Sequence, residues 1–221
     1  MTDLAQSSAP TIKVCGITRI EDAKSALSAG ATMLGFVLVP ESPRGIPAQA
    51  ASAIIQELPE KTPTVAVVGT ISAQEARDHI RTTGASHIQL CGAADPADFA
   101  EFPVPIFRRI PVDTTGIAQA ERWSEQASGF VLDHPSGMGG TGQVVDLSLG
   151  AELAQRFPCL LAGGLKPENV AQAISAVRPL GVDASSGLEQ SAGIKDTDRV
   201  QRFVQQARDA FDACWPLSTR F

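Results

Sequence analysis

Charge is scarce in this chain. Asp, Glu, Lys and Arg make up 19% of its 221 residues, below the roughly 25% of an average globular protein. Hydrophobic residues reach 43%, enough for a real core, so the low charge does not mark a disordered chain. Long apolar runs are also missing. None approaches the roughly 18 residues that a membrane span needs, and mean hydropathy is only +0.04, which argues against a membrane partner. There is no cluster of Lys and Arg, and the net charge is −6. A nucleic-acid binder carries a basic face, so nucleic acid is not expected as a partner. An anionic small ligand stays open, because amides at helix ends hold phosphate without net positive charge.

Paired cysteine motifs are absent too. Cys15, Cys91, Cys159 and Cys214 form no CxxC and stand at no metal-ligand spacing with His. The expectation is a reduced cytoplasmic protein without a disulfide framework or a metal. The opening MTDLAQSSAP lacks the charged-then-apolar order of a secretory signal. No linker or low-complexity stretch divides the chain.

What is present is alternation. Short apolar runs rich in Val and Ile fall at residues 11–17, 32–39, 64–69, 86–90, 104–110, 129–132, 159–162 and 180–184. They read as strands buried on both faces. Amphipathic segments lie between them, at 19–29, 48–58, 72–82, 115–126, 147–156, 167–177 and 196–215. Gly30 is a natural helix stop, Pro47 precedes a helix start, and Ser72 with Glu75 forms a capping-box pattern. The segment 95–102 is the weakest helix, being short and holding Pro96. Eight strand–helix units favour a single α/β domain, a closed (β/α)8 TIM barrel over residues 11–215, with loose tails at 1–10 and 216–221. A doubly wound open sheet is the alternative.

In a barrel the chemistry lies at the C-terminal strand ends. The first strand ends at Lys13-Val14-Cys15, so Lys13 and Cys15 share a face. The thiol is either a base activated by a nearby ammonium or a small packing residue. Arg44, in a loop stiffened by Pro and Gly, is either a carboxylate clamp or a solvated surface charge. Asp133 closes the apolar run Phe130-Val131-Leu132. Desolvation there raises a carboxyl pKa and suits it to donate a proton; the alternative is a turn cap. The loop 137–142 holds four glycines in six residues. After the seventh and eighth strands come Gly163-Gly164 and Ser185-Ser186-Gly187, small residues where this fold commonly binds phosphate.

Seven segments in order carry a resemblance: KVCGIT at 13–18, LGFVLVPESPRGI at 34–46, QLCG at 89–92, VLD at 131–133, GGTG at 139–142, LAGGLKPENV at 161–170 and VDASSGLE at 182–189. Together they resemble the phosphoribosylanthranilate isomerase family of tryptophan biosynthesis, over nearly the whole chain. The resemblance implies an Amadori rearrangement of a phosphosugar amine without a cofactor. It implies Cys15 as general base and Asp133 as general acid. Lys13, Arg44, Gln89, Cys91, Gly140 and Gly142 are then substrate-binding positions. Gly163, Gly164, Asp183, Ser185, Ser186 and Gly187 form the phosphate site, with Asp183 orienting the loop amides. A monomer or a homodimer fits equally.

The chain departs from the family pattern in three places. Cys91 stands where the family usually has His, Gln143 where it has Lys, and Val67-Val68-Gly69-Thr70 ends the third strand. These departures keep two other readings open: a non-catalytic or altered-specificity phosphosugar binder, and the related aminoaldose isomerase of histidine biosynthesis. Cys15 argues against the second, which places aspartates at both catalytic strand ends.

Overall fold

The computed structural model describes residues 9–135 and 145–214. The glycine-rich loop with Gly140, Gly142 and Gln143, and nearly all of both expected tails, lie outside the described residues.

Eight strands form a closed parallel barrel in chain order: β1 (Thr11–Cys15), β2 (Met33–Val37), β3 (Thr64–Val68), β4 (His87–Leu90), β5 (Ile106–Pro111), β6 (Gly129–Asp133), β7 (Cys159–Leu161) and β8 (Gly181–Ala184). β8 closes on β1, with Lys13 beside Asp183 and Val14 beside Ala184. The open-sheet alternative is thereby excluded. A small antiparallel pair, β9 (Glu189–Ser191) and β10 (Ile194–Lys195), follows the barrel.

The helices are α1 (Ile20–Ala29), α2 (Ala48–Gln56), α3 (Ala73–Thr83), α4 (Gly116–Trp123), α5 (Leu147–Arg156), α6 (Val170–Val177) and α7 (Thr197–Cys214). Their ends follow the local chemistry. The Ser72 hydroxyl accepts from the Glu75 amide while Glu75 accepts from the Ser72 amide, closing the capping box on α3. Gly30 ends α1 at φ +100, a conformation that penalises any Cβ. Asp146 caps α5 through the amides of Ser148 and Leu149.

One expected helix is corrected. Between β4 and β5 the chain makes only a 3-10 turn, Pro96–Phe99. Asp95 caps it by accepting from the Ala97 amide at 3.0 Å, and Pro96 suits a first turn. Ala100 then turns extended and Glu101 takes φ +54, so no second turn forms. Phe99 stacks at a tilt on Trp123, ring centres 5.8 Å apart, which covers part of the barrel wall that a full helix would have shielded.

Alternation across each strand builds two apolar layers. Ile12, Val14, Ile88, Leu90, Ile106, Ile110, Phe130 and Leu132 join the helices in the outer core. Cys15, Met33, Val65, Val67, Phe107, Val131, Leu160 and Ala162 fill the barrel interior. Because the strands are parallel, Cys15 and Asp133 end at the same mouth.

Candidate active site

The floor of the mouth is a buried ion pair. Lys13, fully buried, donates to Asp183 Oδ2 at 2.6 Å and to Gln89 Oε1 at 2.8 Å. Burial disfavours the ammonium, but Asp183 and Cys15 more than offset this and the Lys13 pKa is raised. Burial also pushes the Asp183 carboxyl up, against the pull of Lys13. Asp183 is thus committed to Lys13 instead of the loop amides, because the β1–β8 register sets the two side by side facing inward. Its second oxygen, Oδ1, is buried and has no hydrogen-bond partner among the described residues.

Cys15 lies just above this pair. Its neighbour across β2 is Gly35, where a Cβ would stand 2.7 Å from Cys15 Sγ and 3.1 Å from Lys13 Cε. A side chain at that position would occupy the space the thiol uses. Burial raises the Cys15 pKa, and the Lys13 ammonium opposes that rise. Gln89 also donates to Cys91 Sγ at 3.3 Å, and burial pushes the Cys91 thiol up to about 11. Lys13, Cys15, Gln89 and Cys91 therefore form one connected inner patch.

Asp133 is not in the apolar setting that its preceding residues suggested. Phe130 and Leu132 face outward; the inward neighbour is Arg109 of β5. Arg109 Nε donates to Asp133 Oδ2 at 3.3 Å, and the Asp133 side chain is 20% exposed. Asp133 Oδ1 accepts from the His134 amide at 2.8 Å. Arg109 went unrecognised in the sequence. The available signal was its place near the end of a strand, two residues after Phe107, which alternation turns to the same inward face.

The rim beside Asp133 is made of glycine. Gly163 and Gly164 take φ +77 and +69. A Cβ on Gly163 would lie 2.6 Å from Val145 and 3.3 Å from Asp133 Oδ1. No hydrogen bond among the described residues engages the Gly163 and Gly164 amides. Asn169 fixes this loop, accepting from the Lys166 amide at 2.8 Å and donating to Gly164 O at 2.9 Å. Ser185 and Ser186 begin the next loop, and Gly187 packs it onto the first, since a Cβ there would fall 2.1 Å from Leu165 O. Ser185 Oγ is buried and has no hydrogen-bond partner among the described residues. Two adjacent loops thus present donors that are unengaged among the described residues to the same rim, an arrangement suited to an anion.

Arg44 is brought to the mouth but holds a partner of the chain's own. It grips Glu189 with two bonds of 2.8 Å. Lys195 binds the same carboxylate at 2.8 Å. Burial alone raises the Glu189 carboxyl, but Arg44 and Lys195 reverse this and hold it below its ordinary value. Gly16, at φ +75, lets this cluster close on β1: a Cβ there would be 2.8 Å from both Arg44 Cδ and Ser185 Oγ. Among the described residues, no group of His, Cys, Asp and Glu could hold a metal ion.

Comparison with known proteins decides what this arrangement belongs to. Residues 12–206 match the family model described as N-(5'phosphoribosyl)anthranilate (PRA) isomerase. The chain belongs to that family. It is 40% identical to the N-(5'-phosphoribosyl)anthranilate isomerase of Pseudomonas fluorescens over 199 residues, covering 89% of this chain and 94% of the relative. The phosphoribosyl anthranilate isomerase structure from Thermotoga maritima superposes with TM-score 0.83 at 31% identity, covering 90% of this chain and 99% of that one. A further isomerase structure, solved with reduced 1-(o-carboxyphenylamino)-1-deoxyribulose 5-phosphate, matches with TM-score 0.81 at 31% identity, again over 90% and 99%. The chain is an isomerase of tryptophan biosynthesis. Among the described residues, no helix is long and apolar enough to cross a membrane.

Proposed function

We propose that the chain converts N-(5-phosphoribosyl)anthranilate to 1-(2-carboxyphenylamino)-1-deoxyribulose 5-phosphate in the cytoplasm, with Asp133 as general acid and Cys15 as general base. The observation that carries this reading is one mouth shared by Cys15, Asp133 and two loops whose donors are unengaged among the described residues. The 5-phosphate sits against the amides of Gly163 and Gly164 and the residues Ser185, Ser186 and Gly187. Asp133, next to Gly163, protonates the ribose ring oxygen. The C1–O bond breaks as the nitrogen lone pair forms a protonated C=N bond. Cys15 then takes the C2 proton, and the released electron pair moves into a C1–C2 double bond, neutralising the iminium nitrogen. The enolamine becomes the ketose by protonation at C1 and loss of the hydroxyl proton at C2.

Cys15 acts as a base only as thiolate. Burial opposes that form more strongly than Lys13 favours it and holds the thiol above its ordinary value, so turnover keeps rising with pH through the ordinary thiol range. Lys13 and Gln89 serve the site by holding the floor beneath the sugar. Cys91 lies beside Gln89 on the same floor, while Gly140 and Gly142, which the resemblance assigns to substrate binding, lie outside the described residues. Arg44 reaches the aryl carboxylate by exchanging it for Glu189.

The test is the direct conversion of N-(5-phosphoribosyl)anthranilate by the purified protein, followed by loss of anthranilate fluorescence, with the histidine-pathway aminoaldose as comparator. Asp133→Asn and Cys15→Ser each lower kcat by about 10²–10⁴-fold, while binding of the reduced product analogue survives. Full turnover in either variant would remove that residue from its role. Turnover of the comparator at an equal rate would reassign the substrate.

A further inference from the structure

Arg109 is a charged group at the mouth that the acid–base scheme leaves unused and that contacts Asp133 directly. It lies on β5, two residues before Pro111, and Pro111 pairs in register with Asp133. Its side chain is 12% exposed, so it belongs to the wall of the mouth and not to the outer surface. Two of its nitrogens are engaged at once. Nε donates to Asp133 Oδ2 at 3.3 Å, and Nη2 donates to the carbonyl of His134. The His134 amide donates in turn to Asp133 Oδ1 at 2.8 Å. The guanidinium therefore ties the carboxylate to the backbone that follows it, and both carboxylate oxygens have a chain donor.

The other cations of the mouth are committed elsewhere. Lys13 is bound to Asp183 and Gln89, and Arg44 and Lys195 hold Glu189. Among the described residues, Arg109 makes the one ion pair of Asp133. A planar fork spanning a side chain and a main-chain oxygen restricts a carboxyl more than a point charge does. Asp133 ends its strand, and without Arg109 the His134 amide on Oδ1 is its one remaining donor among the described residues, which leaves Oδ2 untethered.

We propose that Arg109 is a positioning residue of the isomerase: it fixes the rotamer of Asp133 so that the carboxyl meets the ribose ring oxygen. This rests on Asp133 being the acid. Orientation is felt in the chemical step, since a displacement of about 1 Å at a reacting group can cost on the order of 10²-fold. Substrate is held mainly by the phosphate loops, which Arg109 does not touch.

The experiment compares kcat and KM for N-(5-phosphoribosyl)anthranilate in the parent, Arg109→Met, Arg109→Lys and Asp133→Asn, each checked for folding by circular dichroism. Arg109→Met is expected to lose about 10- to 100-fold in kcat with KM changed less than about threefold. Arg109→Lys, which restores a cation and a donor, recovers much of that loss. If Arg109→Met does not fold, Arg109→Gln takes its place against the Lys variant. Parent-like kcat in Arg109→Met beside an inactive Asp133→Asn overturns the positioning role and leaves the acid assignment standing. A Lys variant no better than Met, or a loss confined to KM, also overturns it. An Asp133→Asn enzyme with parent kcat instead overturns the acid assignment on which the proposal rests.

Discussion

On β1, Ile12 and Val14 turn outward into the helical layer while Lys13 and Cys15 turn inward. On β6, Phe130 and Leu132 turn outward while Val131 and Asp133 turn inward. The outer face of the barrel is almost wholly apolar, its main exception being Arg108, which stacks over Trp123 at 5.1 Å. The inner face holds Lys13, Gln89, Arg109, Asp133 and Asp183. The same strands thus serve two environments. Outside, shape against the helices is the requirement. Inside, charge must be matched pair by pair, because an unpaired buried ion is costly.

The contrast can be broken most severely at Lys13. Lys13→Met strands the Asp183 carboxylate inside the barrel, and about 3–5 kcal/mol of stability is expected to be lost. Denaturant unfolding measures this. The double variant Lys13→Met/Asp183→Asn should regain part of the loss; if it is simply additive, the two groups are not coupled. On the outer face, Phe130→Ala opens a cavity where Phe130 meets Phe157 edge-on, ring centres 5.5 Å apart. A loss of similar size, about 3–5 kcal/mol, is expected there, but with kcat at 25 °C nearly unchanged. A collapse of kcat in folded Phe130→Ala would dissolve the distinction between the faces.

The smallest effect is a pH dependence at Glu189. Its carboxyl is held below the ordinary glutamate value in the folded protein by Arg44 and Lys195. It therefore contributes stability above that value, which is lost as pH falls through the folded-state pKa. Glu189→Gln is expected to be less stable at neutral pH and to lose less between neutral and acid pH. Melting temperature followed against pH reads this directly, and parallel curves for parent and variant would exclude the linkage.

Much of the fold was legible before any coordinates. The strand runs at 11–17 and 64–69 became β1 (Thr11–Cys15) and β3 (Thr64–Val68), and the amphipathic run at 147–156 became α5 (Leu147–Arg156). Apolar period, caps and turn residues are local, so they survive in one dimension. The run at 95–102 failed because Pro96 and the left-handed Glu101 limit the chain to one turn, and short segments carry little periodic signal. At the site, residue types at strand ends pointed to Cys15, Asp133 and the paired glycine loops. Arg109 stands beside a second arginine in β5, so local pattern did not single it out; Asp183 was read without Lys13, and Arg44 without Glu189.

By itself, then, the order of residues determined the strand–helix alternation, the helix caps and which side chains end each strand, because each depends on neighbours a few positions away. Only the tertiary structure decided that Lys13 meets Asp183 across 170 positions, by closure of β8 on β1, that Arg44 meets Glu189 across 145, and that Arg109 lies against Asp133, by the pairing of β5 with β6. The first and last follow from the register between barrel strands, and the second from the segments after β2 and β8 meeting at the same mouth; each joins residues too far apart in the chain for local pattern to reveal.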